Sequence, residues 1–190
     1  MNMVIGIDFG NTITYKPAGA TSVVPFPDAL RVVKALASKY PCYIISKVNA
    51  QQKVDVLTWL VANDFFNQVG IPESNLHFCE ERHQKNAICV RLGVTHHIDD
   101  RPEVVHHLNN DIKAFLFRPI AADVVSYFYS LKTKDVCIVQ DWKEIESYLL
   151  PPKPSFEYCQ CDDQIQCRGL FQHTCVHCGK TFDPKTYPNV

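Results

Sequence analysis

Six short apolar runs recur along the first three-quarters of the chain, at Met3–Asp8, Cys42–Ser46, Leu76–Cys79, Thr95–Asp99, Ile112–Phe117 and Val136–Gln140, with helical patterns in most of the intervals. Strands buried on both faces read as continuous apolar runs, and parallel neighbours need a crossover long enough to hold a helix. The alternation predicts βα units, and so an α/β fold around a mainly parallel sheet. Leu30, Val33, Leu36, Ala37 and Tyr40 share one face of a helix that Asp28 is placed to cap, and Val54, Leu57, Leu60 and Val61 mark the next. Arg82–Leu92 and Pro102–Asn109 supply two more, the second opening with proline where a missing N–H is tolerated. Trp142–Leu150 reads as a final short helix.

At 190 residues and 46% apolar composition, the chain can bury one substantial core and carry a small appendage. Pro151-Pro152-Lys153-Pro154 prevents helix continuation and favours an extended connector, which divides the chain into a domain of residues 1–150 and a module of 151–190. Nineteen basic and twenty acidic residues give a formal charge of −1, so no bulk charge steers the protein toward nucleic acid or anionic membrane. No run approaches the ~20 apolar residues needed to span a bilayer, and no basic flank precedes a long apolar stretch. A cytoplasmic protein without membrane partners is the expectation.

The opening Val4-Ile5-Gly6-Ile7-Asp8-Phe9-Gly10-Asn11-Thr12 delivers one carboxylate from a buried strand to a glycine-containing turn. Ser46 ends the second apolar run, Lys85 stands at a helix start, and Asp99-Asp100 ends the fourth run. In an open parallel sheet, ligands gather at the carboxyl ends of the strands, which is where these groups fall. A carboxylate can attack phosphorus and form an aspartyl-phosphate, dividing a difficult hydrolysis into two steps. Mg²⁺ suits such a site because it prefers carboxylate, carbonyl and phosphate oxygens. Lys85 can neutralise developing charge while the Ser46 and Thr12 hydroxyls orient phosphate oxygens.

Over roughly residues 3–118 this constellation resembles the haloacid dehalogenase-like superfamily of phosphotransferases, which implies a three-layer Rossmann-like α/β fold. Ile44-Ile45-Ser46 is similar to that family's second motif, Lys85 to its third, and Ile98-Asp99-Asp100-Arg101-Pro102-Glu103 to its fourth. The stretch from Phe26-Pro27-Asp28 through Asp141-Trp142 looks most like the 5′-nucleotidase-like branch. The resemblance implies Asp8 as nucleophile, the Gly10 main-chain carbonyl as a Mg²⁺ ligand, and Asp99 or Asp100 completing that site. It also implies a phosphorylated substrate, with a nucleotide or a nucleic-acid end as the branch's suggestion. One position departs from the pattern: family phosphatases usually carry a second aspartate two places after the nucleophile, where this chain has Gly10. That aspartate protonates the leaving group and later activates water, assistance typically worth about 10²–10⁴-fold. Asn11 is adjacent but cannot transfer protons as a carboxylate does. A catalytically weak or inactive binding protein that keeps the fold is therefore the second functional reading.

The intervals from Asp8 to Ser46 and from Ser46 to Lys85 leave no room for a large inserted cap, so an open cleft is expected, with Ile13–Pro25 as a small flap. Ile-Gly-Ile-Asp-Phe-Gly also resembles the first phosphate loop of actin-like and sugar-kinase-like ATPases. Those folds need two large related domains and a second phosphate loop, which this chain does not offer. Of the paired histidines, His96-His97 point to opposite faces of a strand, so a structural role is expected for them and for His106-His107. Arg101 is expected to make surface or cap contacts.

Five of the nine cysteines crowd between Cys159 and Cys178, which without a secretory signal suggests metal rather than disulfides. Cys175 and Cys178 form a C-x-x-C-G-K knuckle suited to tetrahedral Zn²⁺, and Cys159 and Cys161 are the expected partners, giving a ribbon-like or knuckle-like site. Cys167 competes for a place, His173 lies within the same stretch, and a set of Cys159, Cys161, Cys175 and His177 resembles SWIM-type zinc modules. So short a segment lacks a self-sufficient core, which makes Zn²⁺ binding the expected source of its folding. Its balanced charges favour docking, lidding or a protein partner over nucleic-acid reading.

Overall fold

The computed structural model describes residues 3–150. The zinc-ligand expectations at Cys159, Cys161, Cys175 and Cys178 lie outside the described residues.

The chain runs β1 (Ile5–Ile7), β2 (Thr14–Tyr15), β3 (Val24–Pro25), α1 (Ala29–Ala37), β4 (Cys42–Lys47), α2 (Ala50–Ala62), α3 (Phe65–Val69), β5 (Leu76–Cys79), α4 (Gln84–Leu92), β6 (His96–Asp99), α5 (Pro102–His107), β7 (Lys113–Phe117), α6 (Ala121–Ser126), α7 (Phe128–Leu131), β8 (Val136–Val139) and α8 (Trp142–Leu149). Six strands form one sheet in the order β5-β4-β1-β6-β7-β8, every neighbouring pair parallel. The chain builds outward from β1 through β4 to β5, then crosses back to lay β6 on the other side of β1. That reversal puts the topological switch point at the carboxyl ends of β1 and β6, the position where sheets of this kind bind ligands.

Strand periodicity sorts the apolar side chains onto two faces. Ile5, Ile7, Ile44, Ile98, Phe115 and Phe117 pack on one side against α1, α3 and α8, and Ile45, Ala114 and Leu116 pack on the other against α4 and α5. These clusters make the fold a three-layer α/β sandwich around a parallel sheet, as expected, and the strand order is Rossmann-like. Among the described residues no helix is long and apolar enough to cross a membrane.

The caps differ from the sequence expectation. Asp28 stands before α1 in left-handed backbone (φ 63°) and makes no cap bond, while its carboxylate accepts from Arg31 Nε at 2.9 Å. Arg31 also grips both oxygens of Glu146 at 2.7 and 2.8 Å, tying α1 to α8. The side-chain caps belong to Asn49, which forms a reciprocal capping box with Gln52 on α2, and to Asp141, which accepts from the Lys143 and Glu144 amides of α8. Along α2 only Leu60 is fully buried, and Val54 and Val61 are exposed at 57% and 70%. Trp59 turns inward instead, edge-on to Phe9 at 5.3 Å between ring centroids. The Ile13–Pro25 segment forms a short antiparallel ribbon, Thr14 opposite Pro25 and Tyr15 opposite Val24, consistent in scale with a small flap.

Candidate active site

Asp8 follows β1 directly, and Asp99 is the last residue of β6, the strand beside it. Asp8 lies two residues beyond Gly6, as Asp99 lies two beyond His97, so each carboxylate shares its predecessor's face of the sheet. Ser46 comes from β4 on the opposite flank of β1, and Lys85 from the first turn of α4. Asp8, Ser46, Lys85 and Asp99 are all buried polar residues, an expensive arrangement unless each is paired.

They are paired with each other. Ser46 Oγ donates to Asp8 Oδ1 at 2.9 Å, and Lys85 Nζ donates to the same oxygen at 2.6 Å and to Asp99 Oδ2 at 2.7 Å. Asp99 Oδ2 also meets His97 Nε2 at 3.2 Å, and Asp99 Oδ1 accepts from the Arg101 amide at 2.9 Å. Sequence reasoning left His97 out of the site. The signal was present in the spacing, because residues 97 and 99 of a strand share a face.

These contacts set the charge states. Burial pushes the Asp8 carboxyl up, partly offset by the Lys85 ammonium. For Asp99 burial acts the same way, but Lys85 and His97 outweigh it and hold the carboxyl below its usual range. Burial works against the Lys85 ammonium, yet its two carboxylate partners raise it above its ordinary value. Asp100 is pushed from 3.8 up to about 7, first by burial and then by Asp99 and Asp8, with Arg101 only partly compensating. His97 is held at about 9: burial disfavours its charge, and Cys89 and Asp99 favour it.

Oxygens of Asp8, Asp99 and Asp100 all lie within 4.8 Å of one another, a donor set whose hardness suits Mg²⁺. Asp99 already has both oxygens engaged. Asp8 carries its hydrogen bonds on Oδ1, and Asp100 meets Arg101 Nε at 3.2 Å through Oδ2, which leaves one oxygen free on each among the described residues. Arg101 also reaches Asp123 at 3.4 Å, matching the expected surface role.

The loop after Asp8 departs from a glycine turn. Asn11, not Gly10, takes the left-handed conformation (φ 58°), a region that asparagine tolerates. Gly10 is exposed, and no heavy atom lies within 4 Å of where a Cβ would stand. The Thr12 hydroxyl is buried without a hydrogen-bond partner among the described residues, so it is not bonded to the cluster. The Thr12 carbonyl accepts from Trp142 Nε1 at 3.0 Å, which anchors the loop to α8.

No protein-family model matches the chain, and no curated protein matches it in sequence. Among solved structures, a protein from Burkholderia xenovorans LB400 described as a haloacid dehalogenase-like hydrolase is similar at 13% identity and a TM-score of 0.44, over 64% of this chain and 57% of its own. A de novo designed Rossmann 3x3 fold protein is similar at 10% identity and a TM-score of 0.43, over 78% of this chain and 93% of its own. The chain thus spans little more than half the length of the hydrolase. Its chemistry follows from its own side chains.

Proposed function

We propose that the chain is a Mg²⁺-dependent phosphatase that works through an aspartyl-phosphate on Asp8. The observation that carries this reading is the Asp8 carboxylate itself: buried at the switch point of the sheet, with one oxygen held by Ser46 and Lys85 and the other without a partner among the described residues. In the first step an Asp8 oxygen attacks phosphorus, the bond to the leaving oxygen breaks, and that oxygen departs with the electron pair. In the second, water attacks phosphorus, Asp8 is released as carboxylate, and inorganic phosphate leaves. Lys85 and Ser46 orient Asp8 and meet the charge that accumulates on the phosphoryl oxygens. Asp8 and Asp100, with the Gly10 carbonyl, would hold Mg²⁺, which when bound neutralises phosphate charge.

The substrate class we favour is a nucleotide or a nucleic-acid phosphate terminus, on the branch resemblance and the absence of room for a large inserted cap. Phosphate release from a panel of phosphomonoesters, oligonucleotide ends included, should require Mg²⁺ and vanish in Asp8→Asn. A wild-type protein no faster than Asp8→Asn on every substrate would overturn catalysis.

The second reading is a ligand-binding protein that keeps the fold with little turnover. Gly10 favours it, because no carboxyl stands two residues after Asp8 to protonate a leaving group. Phosphate-ester affinity without hydrolysis is its expected signature. For the C-terminal segment we propose Zn²⁺ on Cys159, Cys161, Cys175 and Cys178 and a protein partner, tested by elemental analysis expecting about one equivalent.

A further inference from the structure

His97 is completely buried, and both its ring nitrogens have partners: Nε2 at 3.2 Å from Asp99 Oδ2 and Nδ1 at 3.8 Å from Cys89 Sγ. That face of the sheet also carries the buried apolar cluster of Ile45, Ala114 and Leu116. A residue serving only as filler there would be aliphatic, since a buried imidazole must find hydrogen bonds or lose stability. The space it fills is made by a specific absence. Gly6 pairs with His97 across β1 and β6, and a Cβ on Gly6 would stand 2.5 Å from His97 Nδ1. Nothing larger than glycine fits at position 6 while the ring holds this place.

The ring in turn completes Asp99. Three donors hold that carboxylate: Lys85 and His97 share Oδ2, and the Arg101 amide takes Oδ1. Lys85 divides its ammonium between Asp99 and Asp8, so the orientation of the first carboxylate sets where the ammonium meets the second.

We propose that His97 is a positioning residue for the reaction, acting through Asp99 to hold Lys85 on the Asp8 nucleophile, with Gly6 as the notch that admits its ring. This rests on the phosphatase reading for its effect on turnover, but the geometry can be tested without turnover. The Arg101 amide bonds the oxygen of Asp99 opposite the one His97 meets, so its NMR shift reports the carboxylate's orientation.

The test compares wild type with His97→Phe, which keeps a ring and loses the donor, and His97→Gln, which keeps a donor. Gly6→Ala is a third variant that displaces the ring and removes no polar group. Partners of this kind are typically worth 10- to 100-fold in activity when lost. In His97→Phe, kcat should fall about 10- to 100-fold with KM changed less than about threefold, and the Arg101 amide resonance should move or broaden. His97→Gln should recover most of kcat and the wild-type Arg101 resonance. Gly6→Ala should resemble His97→Phe. A folded His97→Phe protein with wild-type kcat and an unmoved Arg101 amide would overturn the proposal. So would a His97→Gln protein as impaired as His97→Phe in both readouts. If wild type shows no turnover at all, the phosphatase reading fails, and the Arg101 amide alone still decides whether His97 orients Asp99.

Discussion

Lys85 Nζ lies 2.6 Å from Asp8 Oδ1, with the two side chains only 3% and 7% exposed. Removing one partner of a buried pair costs about 3–5 kcal/mol, because the charge left behind is uncompensated. In Lys85→Met, Asp8 and Asp99 would face each other without the ammonium, and either can escape by taking up a proton. The expected loss is therefore about 3 kcal/mol at pH 7.5 and clearly smaller at pH 5, measured by urea denaturation. An equal loss at both pH values would mean that packing of the lysine stem, not its charge, dominates.

Asp100 and His97 give the fold a pH dependence of definite sign. Asp100 rises from 3.8 to about 7 on folding, so the folded state holds a proton that the unfolded chain has released, and stability falls as pH climbs through that window. His97 rises from 6.5 to about 9, so its contribution is complete below pH 6.5 and lost as pH passes through 9. Asp99 is depressed, and its contribution is present above 3.8 and lost as acid protonates it. Asp100→Asn removes the first of these costs. Without added Mg²⁺ it should melt with wild type at pH 4 and above wild type at pH 8, in thermal scans across that range. A gap that fails to widen with pH would contradict the assignment of the cost to the ionised Asp100.

Trp142 should hold the loop after Asp8 from a distance. Its indole N–H meets the Thr12 carbonyl at 3.0 Å, and both residues are fully buried. Trp142→Phe leaves that carbonyl without its donor, a loss of about 1–3 kcal/mol, and vacates part of the indole's volume. We expect a stability loss of about 3 kcal/mol in urea melts. Weaker binding of phosphate esters should accompany it, because Thr12 sits four residues after Asp8 on the loop that would line their site. Unchanged ester affinity in a destabilised variant would limit Trp142 to the core.

The sheet was legible because its strands are covered on both faces: Ile5-Gly6-Ile7, Cys42–Lys47 and Lys113–Phe117 carry too few surface positions to read as anything but buried β. Strand order was not legible, since apolar runs do not say which neighbours they choose. Asp8, Ser46, Lys85 and Asp99 were legible as strand-end and helix-start polar residues, positions where the topology leaves them little room to diverge. The short helices α3, α6 and α7 escaped because four to six residues hold too little of a helical period. On α2, the spacing of Val54, Leu57, Leu60 and Val61 located the helix but not its inner face: Val54 and Val61 are exposed, and Trp59 packs on Phe9. His97 was passed over although its spacing from Asp99 puts both on one face; what the spacing does not contain is the vacancy at Gly6 on the neighbouring strand that admits its ring.

Gly10 is the position where sequence and chemistry disagree most, and its surroundings permit a direct experiment. It is exposed, it does not use left-handed backbone, and a Cβ there meets nothing within 4 Å, so Gly10→Asp should fold with stability within about 0.5 kcal/mol of wild type. The new carboxyl would stand two residues after Asp8, where a general acid protonates the departing oxygen. Such assistance matters little for an aryl phosphate, whose leaving group departs unaided, and much for an alkyl phosphate. With the phosphatase reading, wild type turns over the aryl ester, and Gly10→Asp raises kcat/KM, which reports the leaving-group step, by about 10²-fold or more on the alkyl ester while changing it little on the aryl ester. A wild type silent on both esters with an active Gly10→Asp would instead make the natural protein a phosphate-binding fold whose turnover was lost at this residue. Neither protein turning over either ester, with Mg²⁺ present, would remove Gly10 as the explanation and the aspartyl-phosphate chemistry with it.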